Sequence, residues 1–252
     1  MSKIIAVVGA TGTQVSIEKE EESLYIGWLL LSFYKGGSVA KTFSKLPGWE
    51  VRGITRNPDS AAARKLVDEL GITVVKADLN DVESLKSAFE GVNAIFGVTD
   101  FWQFVQLPST QEIAKAKGIT WNEACYLQEL QQGKNIIDAA ASIMKQEKLE
   151  RVVLSSLSDA RKASKGKYTW VYHFDSKAHF VQYLEQKSEG FSEYKALFEK
   201  TSYVQIGYYL DNWKSDPILT PEKVSVYQKT SRAWFLTGIF HRTLMAQLSS
   251  DT

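Results

Sequence analysis

The sequence predicts an α/β fold in which helices cover both faces of a doubly wound parallel sheet, with a small, truncated C-terminal lobe. Short β-branched and apolar runs alternate with helical stretches along the chain, and the connections between them are short. Most of the runs are almost continuously apolar, as expected for parallel strands that are buried on both faces. The 252 residues, 44% of them hydrophobic, suffice for one such domain with a small annex.

Strands and helices are predicted in alternation. The predicted strands are residues 3–9, 49–55, 72–78, 92–99, 151–157 and 203–209. Helices are predicted at 60–70 and 81–91, each with an acidic residue or Ser at its start and Gly at or just past its end. Longer helices are predicted at 122–148, with Gly133 as a candidate break, and at 176–188. The basic run from Arg161 to Lys167 is expected to be a solvated loop after the fifth strand, and only weakly a partner-binding patch.

The first strand leads into a glycine-rich turn that is interrupted. Residues 9–14, Gly-Ala-Thr-Gly-Thr-Gln, begin the GxGxxG pattern of dinucleotide-binding folds. Removal of residues 15–35 brings Gly36 into the position of the third glycine, which allows close packing of the next helix on the strand, and Pro47-Gly48 then ends that helix. We therefore expect a Rossmann-type fold with cofactor contacts at Gly9, Thr11, Gly12, Gln14 and Gly36.

The interrupting segment, residues 15–35, has two explanations. Its first residues, Val15-Ser16, can be encoded by GTG AGT, a common intron start, so a retained intron or a gene-model error is the favoured hypothesis. The alternative is a genuine amphipathic insertion with an acidic start and an apolar run at 24–34. An insertion here is expected to displace the phosphate-binding helix. A mature transcript that contains these codons would rule out the intron.

Several separated stretches resemble the NmrA-like family, atypical relatives of short-chain dehydrogenases that include nitrogen-metabolite regulators and NADPH sensors. They include "VVGATGTQ…GGSVAKTF", "VRGITRNPDSAAARKL", "VVLSSLSDA" and "YHFDSKAHFVQYL". The resemblance implies an NAD(P)-binding domain over residues 1–223, interrupted by 15–35, and an atypical tail over 224–252. The tail again begins Val-Ser, so we interpret it as a second read-through; a divergent C-terminal helix is the alternative.

The end of the second strand bears on the choice of dinucleotide. Arg56 lies twenty residues after the third glycine, where an NAD-specific site usually has Asp or Glu. Because arginine can pair with a 2′-phosphate, NADP(H) is the preferred cofactor, with NAD left open. The alternative is that Arg56 is a solvated charge. The resemblance adds Asp78 and Leu79 beside the adenine, and Val98 and Thr99 beneath the ribose and phosphates, with capping or core packing as the alternative roles.

Candidate catalytic residues are few. Reductases of this class usually need a Tyr whose phenol is acidified by a Lys four positions later. Tyr183 and Lys187 have this spacing, but about one such pair is expected by chance in this composition, so the match carries no weight. Lys177 matches the lysine retained in the family, without its tyrosine, and would contact the nicotinamide ribose or polarise a substrate. His173 is expected to line the nicotinamide end of the site, with ordinary packing as the alternative.

Composition limits the remaining functions. A net charge of +1 gives no general attraction to nucleic acid or acidic membranes. Cys125 is the only cysteine, which suggests a reducing compartment, and no cluster has the spacing of metal ligands. We expect a cytoplasmic protein, with a nuclear location also open. The family resemblance implies that it binds a dinucleotide and leaves room for a protein partner of the transcription-factor type. The sequence leaves open whether it is a redox-sensing regulator or an NADPH-dependent oxidoreductase.

Overall fold

The fold is built on a parallel sheet in the computed structural model, which describes residues 2–11 and 35–206. Its strands are β1 (Lys3–Val8), β2 (Trp49–Thr55), β3 (Thr73–Lys76), β4 (Ala94–Gly97), β5 (Arg151–Ser156) and β6 (Thr201–Gln205). Their order in the sheet is β3-β2-β1-β4-β5-β6, and every neighbouring pair is parallel. The order reverses between β1 and β4, as in a doubly wound Rossmann-type sheet. The predicted fold class is therefore confirmed.

Helices connect the strands. They are α1 (Lys35–Phe43), α2 (Ala61–Leu70), α3 (Val82–Phe89), α4 (Pro108–Lys117), α5 (Trp121–Ser142), α6 (Ala160–Ala163), α7 (Tyr172–Gly190) and α8 (Ser192–Glu199). Two short 3₁₀ helices lie at Trp102–Phe104 and Met144–Gln146. The sequence did not predict α4, α6 or α8. Helix α6 is a single turn within the expected basic loop, whose cationic residues are all exposed.

Two apolar cores sandwich the sheet. Successive side chains of β1 point to opposite faces, so Ile5 and Val7 belong to one core whereas Ala6 and Val8 belong to the other. The first core is closed by α1 and α2, and the second by α3, α5, α7 and α8. This two-sided burial explains why the strands are continuous apolar runs in the sequence rather than alternating ones.

Capping residues fix the ends of two of the predicted helices, α2 and α3. Ser60 caps α2, its side chain accepting from the Ala63 backbone N–H, and Gly71 ends the helix with φ 64°. Asp81 caps α3 by accepting from two backbone N–H groups. The candidate break at Gly133 is absent, because α5 is continuous from Trp121 to Ser142. Gly133 serves packing instead, since a Cβ there would lie 2.2 Å from the Phe180 ring.

Other predictions fall on residues that the structure does not describe. The end of the sixth predicted strand, the boundary at 223/224 and the tail 224–252 lie outside the described residues. So does the interrupting segment, apart from its last residue. Within residues 2–11 and 35–206, no helix has both the length and the apolar character needed to cross a membrane.

Candidate functional site

A cavity of about 320 Å³ opens at the carboxyl ends of β1, β2, β3 and β4. It lies where the order of the strands reverses, which is the place where open α/β sheets bind their ligands. Eight of the residues predicted to contact a dinucleotide line this cavity: Gly9, Thr11, Gly36, Arg56, Asp78, Leu79, Val98 and Thr99. Gly12 and Gln14 lie outside the described residues. His173 and Lys177 do not line the cavity.

The turn after β1 and the start of α1 form the floor of the cavity. Gly9 has φ 70°, a backbone conformation that glycine adopts without steric cost. A Cβ on Gly36 would lie 2.4 Å from the Gly9 carbonyl oxygen, so only glycine allows the helix to approach the strand this closely. Helix α1 therefore begins beside the turn, and its first backbone N–H groups can receive an anion. This contact is the close packing that a dinucleotide fold needs from its third glycine.

The expected displacement of this helix is wrong. Although residues 15–35 separate the two halves of the glycine motif, α1 contacts the end of β1 in the described structure. The physical reason is that the entropic cost of closing a loop grows only slowly with its length, so an inserted segment need not move the residues that flank it. The position of α1 therefore gives no argument against a genuine insertion.

Arg56, directly after β2, contributes a positive charge to the wall of the cavity. Its side chain is exposed, and among the described residues it makes no hydrogen bond or ion pair. The neighbouring groups are held by local bonds: Thr11 Oγ1 donates to Thr55 Oγ1 at 3.2 Å, and the Asp59 backbone N–H donates to Asn57 Oδ1 at 3.1 Å. A guanidinium that has no partner among the described residues is suited, at this position, to pair with a phosphate.

The ends of β3 and β4 form the remaining walls. Asp78 has a fixed orientation because its Oδ1 accepts from the backbone N–H of Asn80 at 2.9 Å and from the Asn80 side-chain amide at 3.0 Å. Val98 is buried and approaches the glycine turn, since a Cβ on Gly9 would lie 3.1 Å from Val98 Cγ1. Thr99 is also buried and lines the cavity, and its hydroxyl bonds to the buried side chains of Lys177 and Glu129.

Six polar residues that the sequence did not predict also line this cavity: Thr55, Asn57, Ser60, Asp100, Gln103 and Gln132. Thr55 is the last residue of β2, and Asn57, Ser60 and Asp100 lie in the loops that follow β2 and β4, so these four positions could have been inferred from the strand ends. Gln103 lies in the 3₁₀ helix after β4, and Gln132 lies in the middle of α5. No local sequence pattern marks these two glutamines.

Lys177 is part of a buried ionic network. Its side chain is 6% exposed and forms an ion pair with Glu129, whose side chain is fully buried. The Lys177 ammonium also donates to the carbonyl oxygen and to the hydroxyl of Thr99, both at 2.8 Å. Glu129 accepts further hydrogen bonds from the hydroxyls of Thr99 and Ser176. An ammonium group has three N–H donors, and all three have acceptors within the protein.

The other candidates for chemistry lie in packed surroundings. His173 packs its ring against Phe101, Trp102 and Phe174, at centroid distances of 5.9, 5.2 and 4.9 Å. Burial lowers the pKa of His173, although the carboxylate of Glu129 opposes this effect. Burial therefore favours the neutral imidazole, which suits a packing role.

Tyr183 and Lys187 have the spacing of a catalytic Tyr–Lys pair but not its chemistry. The Tyr183 hydroxyl donates to Asp138 at 2.7 Å. Burial raises the pKa of Tyr183, and the bonded Asp138 carboxylate raises it further. A reductase of this class needs a tyrosine whose phenol has a lowered pKa, so Tyr183 is unsuited to transfer a proton to a substrate. Among the described residues there is also no group of three side chains able to hold a metal ion.

Comparison with known proteins identifies relatives over most of the chain. The sequence profile of the NmrA-like family matches residues 34–231. The chain is 31% identical over 218 residues to the NmrA-like family domain-containing oxidoreductase FrzB of a Cladobotryum species, a match that covers 86% of this chain and 50% of the relative. It is 28% identical over 212 residues to the oxidoreductase hkm9 of Aspergillus hancockii, covering 84% and 48%. The chain thus spans about half the length of the curated relatives it matches.

Solved structures with a similar arrangement are more distant. An NADPH-dependent quinone oxidoreductase from Escherichia coli, complexed with NADPH, is 20% identical, with a TM-score of 0.46 and coverage of 83% of this chain and 51% of that one. NmrA, a negative transcriptional regulator in complex with NAD, is 19% identical, with a TM-score of 0.48 and coverage of 84% and 47%.

Proposed function

Because the chain belongs to the NmrA-like family, we propose that it binds NADP(H) in the cavity at the carboxyl ends of β1–β4 and reports the bound state to a protein partner. The observation that supports binding best is that eight predicted contact residues converge on this one cavity. The cofactor would supply a transferable hydride. The chain would place the diphosphate at the start of α1, the 2′-phosphate at Arg56, and the adenine beside Asp78 and Leu79.

The bonds already made by Lys177, the one candidate catalytic residue, and by Tyr183 support the regulatory part of the proposal. The Lys177 ammonium is fully occupied by Glu129 and Thr99, and the Tyr183 phenol is bonded to Asp138. Neither is available to a substrate in this arrangement. A regulator of this kind acts only if its partner binds the cofactor-loaded and the cofactor-free protein with different affinity. We place this activity in the cytoplasm or nucleus, where a single free cysteine stays reduced.

The second candidate function is an NADPH-dependent oxidoreductase. It is favoured by the names of the curated relatives, which are described as NmrA-like oxidoreductases. In that case Lys177 would have to exchange one of its protein acceptors for a substrate or ribose hydroxyl when the cofactor binds. Because the match covers only about half of each of those relatives, their activity is a hypothesis for this chain.

Steady-state turnover separates the two functions. With saturating NADPH and a panel of carbonyl and quinone substrates, the regulator is expected to show cofactor binding without oxidation above the rate in buffer. The measurement is the loss of NADPH absorbance, with a known quinone reductase as the positive control. Sustained turnover of any substrate in the panel would reject the regulatory proposal in favour of the oxidoreductase.

Arg56 is expected to set the preference for NADP(H). Replacing Arg56 with Ala should weaken NADPH binding by about 10-fold, because one exposed charge-assisted contact is worth roughly 1.4 kcal/mol. Binding of NADH, which lacks the 2′-phosphate, should not change. Isothermal titration with both cofactors measures the ratio, and Arg64→Ala, an exposed arginine on α2 that does not line the cavity, is the control. An equal loss for NADH and NADPH would show that Arg56 does not read the 2′-phosphate.

A further inference from the structure

We propose that Gln132, in the middle of α5, is a positioning residue that fixes the two loops enclosing the adenine half of the cavity. The inference rests on the proposed binding of a dinucleotide. It adds a residue that would determine affinity without being part of the glycine motif or of a strand end.

The side-chain amide nitrogen and oxygen of Gln132 each form a hydrogen bond with one of these loops. The side chain is 2% exposed and lines the cavity. Its Nε2 donates to Asn80 Oδ1 at 3.2 Å, in the loop after β3, and its Oε1 accepts from Gln103 Nε2 at 3.2 Å, in the segment after β4. Gln132 therefore spans the space between the two loops.

The bonds of its partners extend the connection to the cavity wall on each side. Asn80 donates from its side-chain amide to Asp78 Oδ1 at 3.0 Å. Gln103 donates from Nε2 to the Asp100 carbonyl at 2.9 Å. A continuous chain of hydrogen bonds thus runs from Asp78 to Asp100 by way of Gln132. If one link is removed, the two walls lose their common support.

A second contact from the same helix supports the same role. Asn135 lies one turn after Gln132, is largely buried, and donates from Nδ2 to the Leu79 carbonyl at 2.7 Å. Helix α5 is a rigid support because its Ile136 and Ile137 are buried in the core. The loop after β3 is thereby held through both its side chains and its backbone. Holding a binding loop in its ligand-bound shape raises affinity by lowering the cost of ordering it.

The test compares Gln132→Leu with a matched glutamine on the same helix. Gln128 is half-buried and donates to Thr110 Oγ1 at 2.9 Å and to the Ala124 carbonyl, and neither partner lines the cavity. Gln128→Leu therefore removes similar bonds without touching the loops. Asn80→Ala, at an exposed residue, breaks the same chain from its other side and serves if Gln132→Leu folds poorly. The ligands are NADPH and adenosine 2′,5′-bisphosphate, which is the adenine half alone.

Titration of each variant, after the unaltered chain, gives the result. Gln132→Leu and Asn80→Ala should each weaken binding of both ligands by the same factor, about 3- to 10-fold, the size of effect expected when the lost support is worth about one hydrogen bond. The double variant, Gln132→Leu with Asn80→Ala, should bind each ligand no more weakly than whichever single variant binds it more weakly. Gln128→Leu should bind each ligand within about twofold of the unaltered chain. If Gln132→Leu and Asn80→Ala both bind as tightly as the unaltered chain, or if Gln128→Leu loses as much affinity as they do, the inference is overturned but the proposed function is not. Absence of binding by the unaltered chain would overturn the proposed function, and the inference with it.

Discussion

Replacing Glu129 with Ala is expected to destabilise the protein by about 3–5 kcal/mol, because it leaves the buried Lys177 ammonium without its counter-charge. Two hydroxyls, those of Thr99 and Ser176, would also lose their acceptor. Lys177→Met should be comparably costly, since it strands the carboxylate. The free energy of unfolding, measured by urea denaturation at neutral pH, gives the size of each effect.

The double variant identifies the cause. Glu129→Ala combined with Lys177→Met removes both charges, so it should be less destabilised than the sum of the two single variants. The control is Glu69→Ala, which breaks an exposed ion pair with Lys65 on α2 and should change stability little. Single variants that unfold like the unaltered chain would contradict a structural role for the pair. Lys177 would then be free for the catalytic role that the sequence suggested.

Replacing Gly36 with Ala is expected to destroy dinucleotide binding and to lower stability by about 1–3 kcal/mol, the usual cost of inserting a methyl group into a packed contact. The new Cβ would lie within 2.4–2.5 Å of backbone atoms of Gly9 and Val8, which cannot rotate away. Helix α1 would have to move off the end of β1, and its N–H groups would leave the cavity floor.

The adjacent glycine is a matched control. At Gly37 an added Cβ would meet the Ala10 carbonyl oxygen at 3.5 Å, an ordinary contact, so Gly37→Ala should fold and bind NADPH normally. Thermal melting and NADPH titration of both variants make the comparison. If Gly36→Ala binds NADPH as tightly as Gly37→Ala, the start of α1 is not the phosphate-binding element.

Local patterns were sufficient to predict most of the sheet and one side of the site. Continuous apolar runs marked the strands because the sheet is buried on both faces. Gly36 could be placed because a tight helix–strand contact leaves a glycine at a fixed position in the motif. Arg56 follows a strand end at the distance from the third glycine that the motif predicts, whereas Asp78 and Thr99 came from the resemblance to the NmrA-like family. The site residues themselves remain predictions until binding is measured.

Residues that depend on tertiary contacts were beyond sequence reasoning. Glu129 and Lys177 are 48 positions apart on different helices, so no periodicity connects them. Gln132 is one of several glutamines in α5, and only the packing of that helix turns it toward the cavity. Gly133 was misjudged for the same reason: the tendency of glycine to interrupt helices is weak, and its contact with Phe180 outweighs it.

The most direct test of the proposed function is isothermal titration of the unaltered chain, residues 1–252, with NADPH. We expect saturable binding at one site per chain in the micromolar range, displaced by 2′-phospho-ADP-ribose and lost in Gly36→Ala. Binding of this kind would place a dinucleotide at the carboxyl edge of the sheet. No saturable heat up to millimolar NADPH, or binding that Gly36→Ala leaves intact, would contradict it.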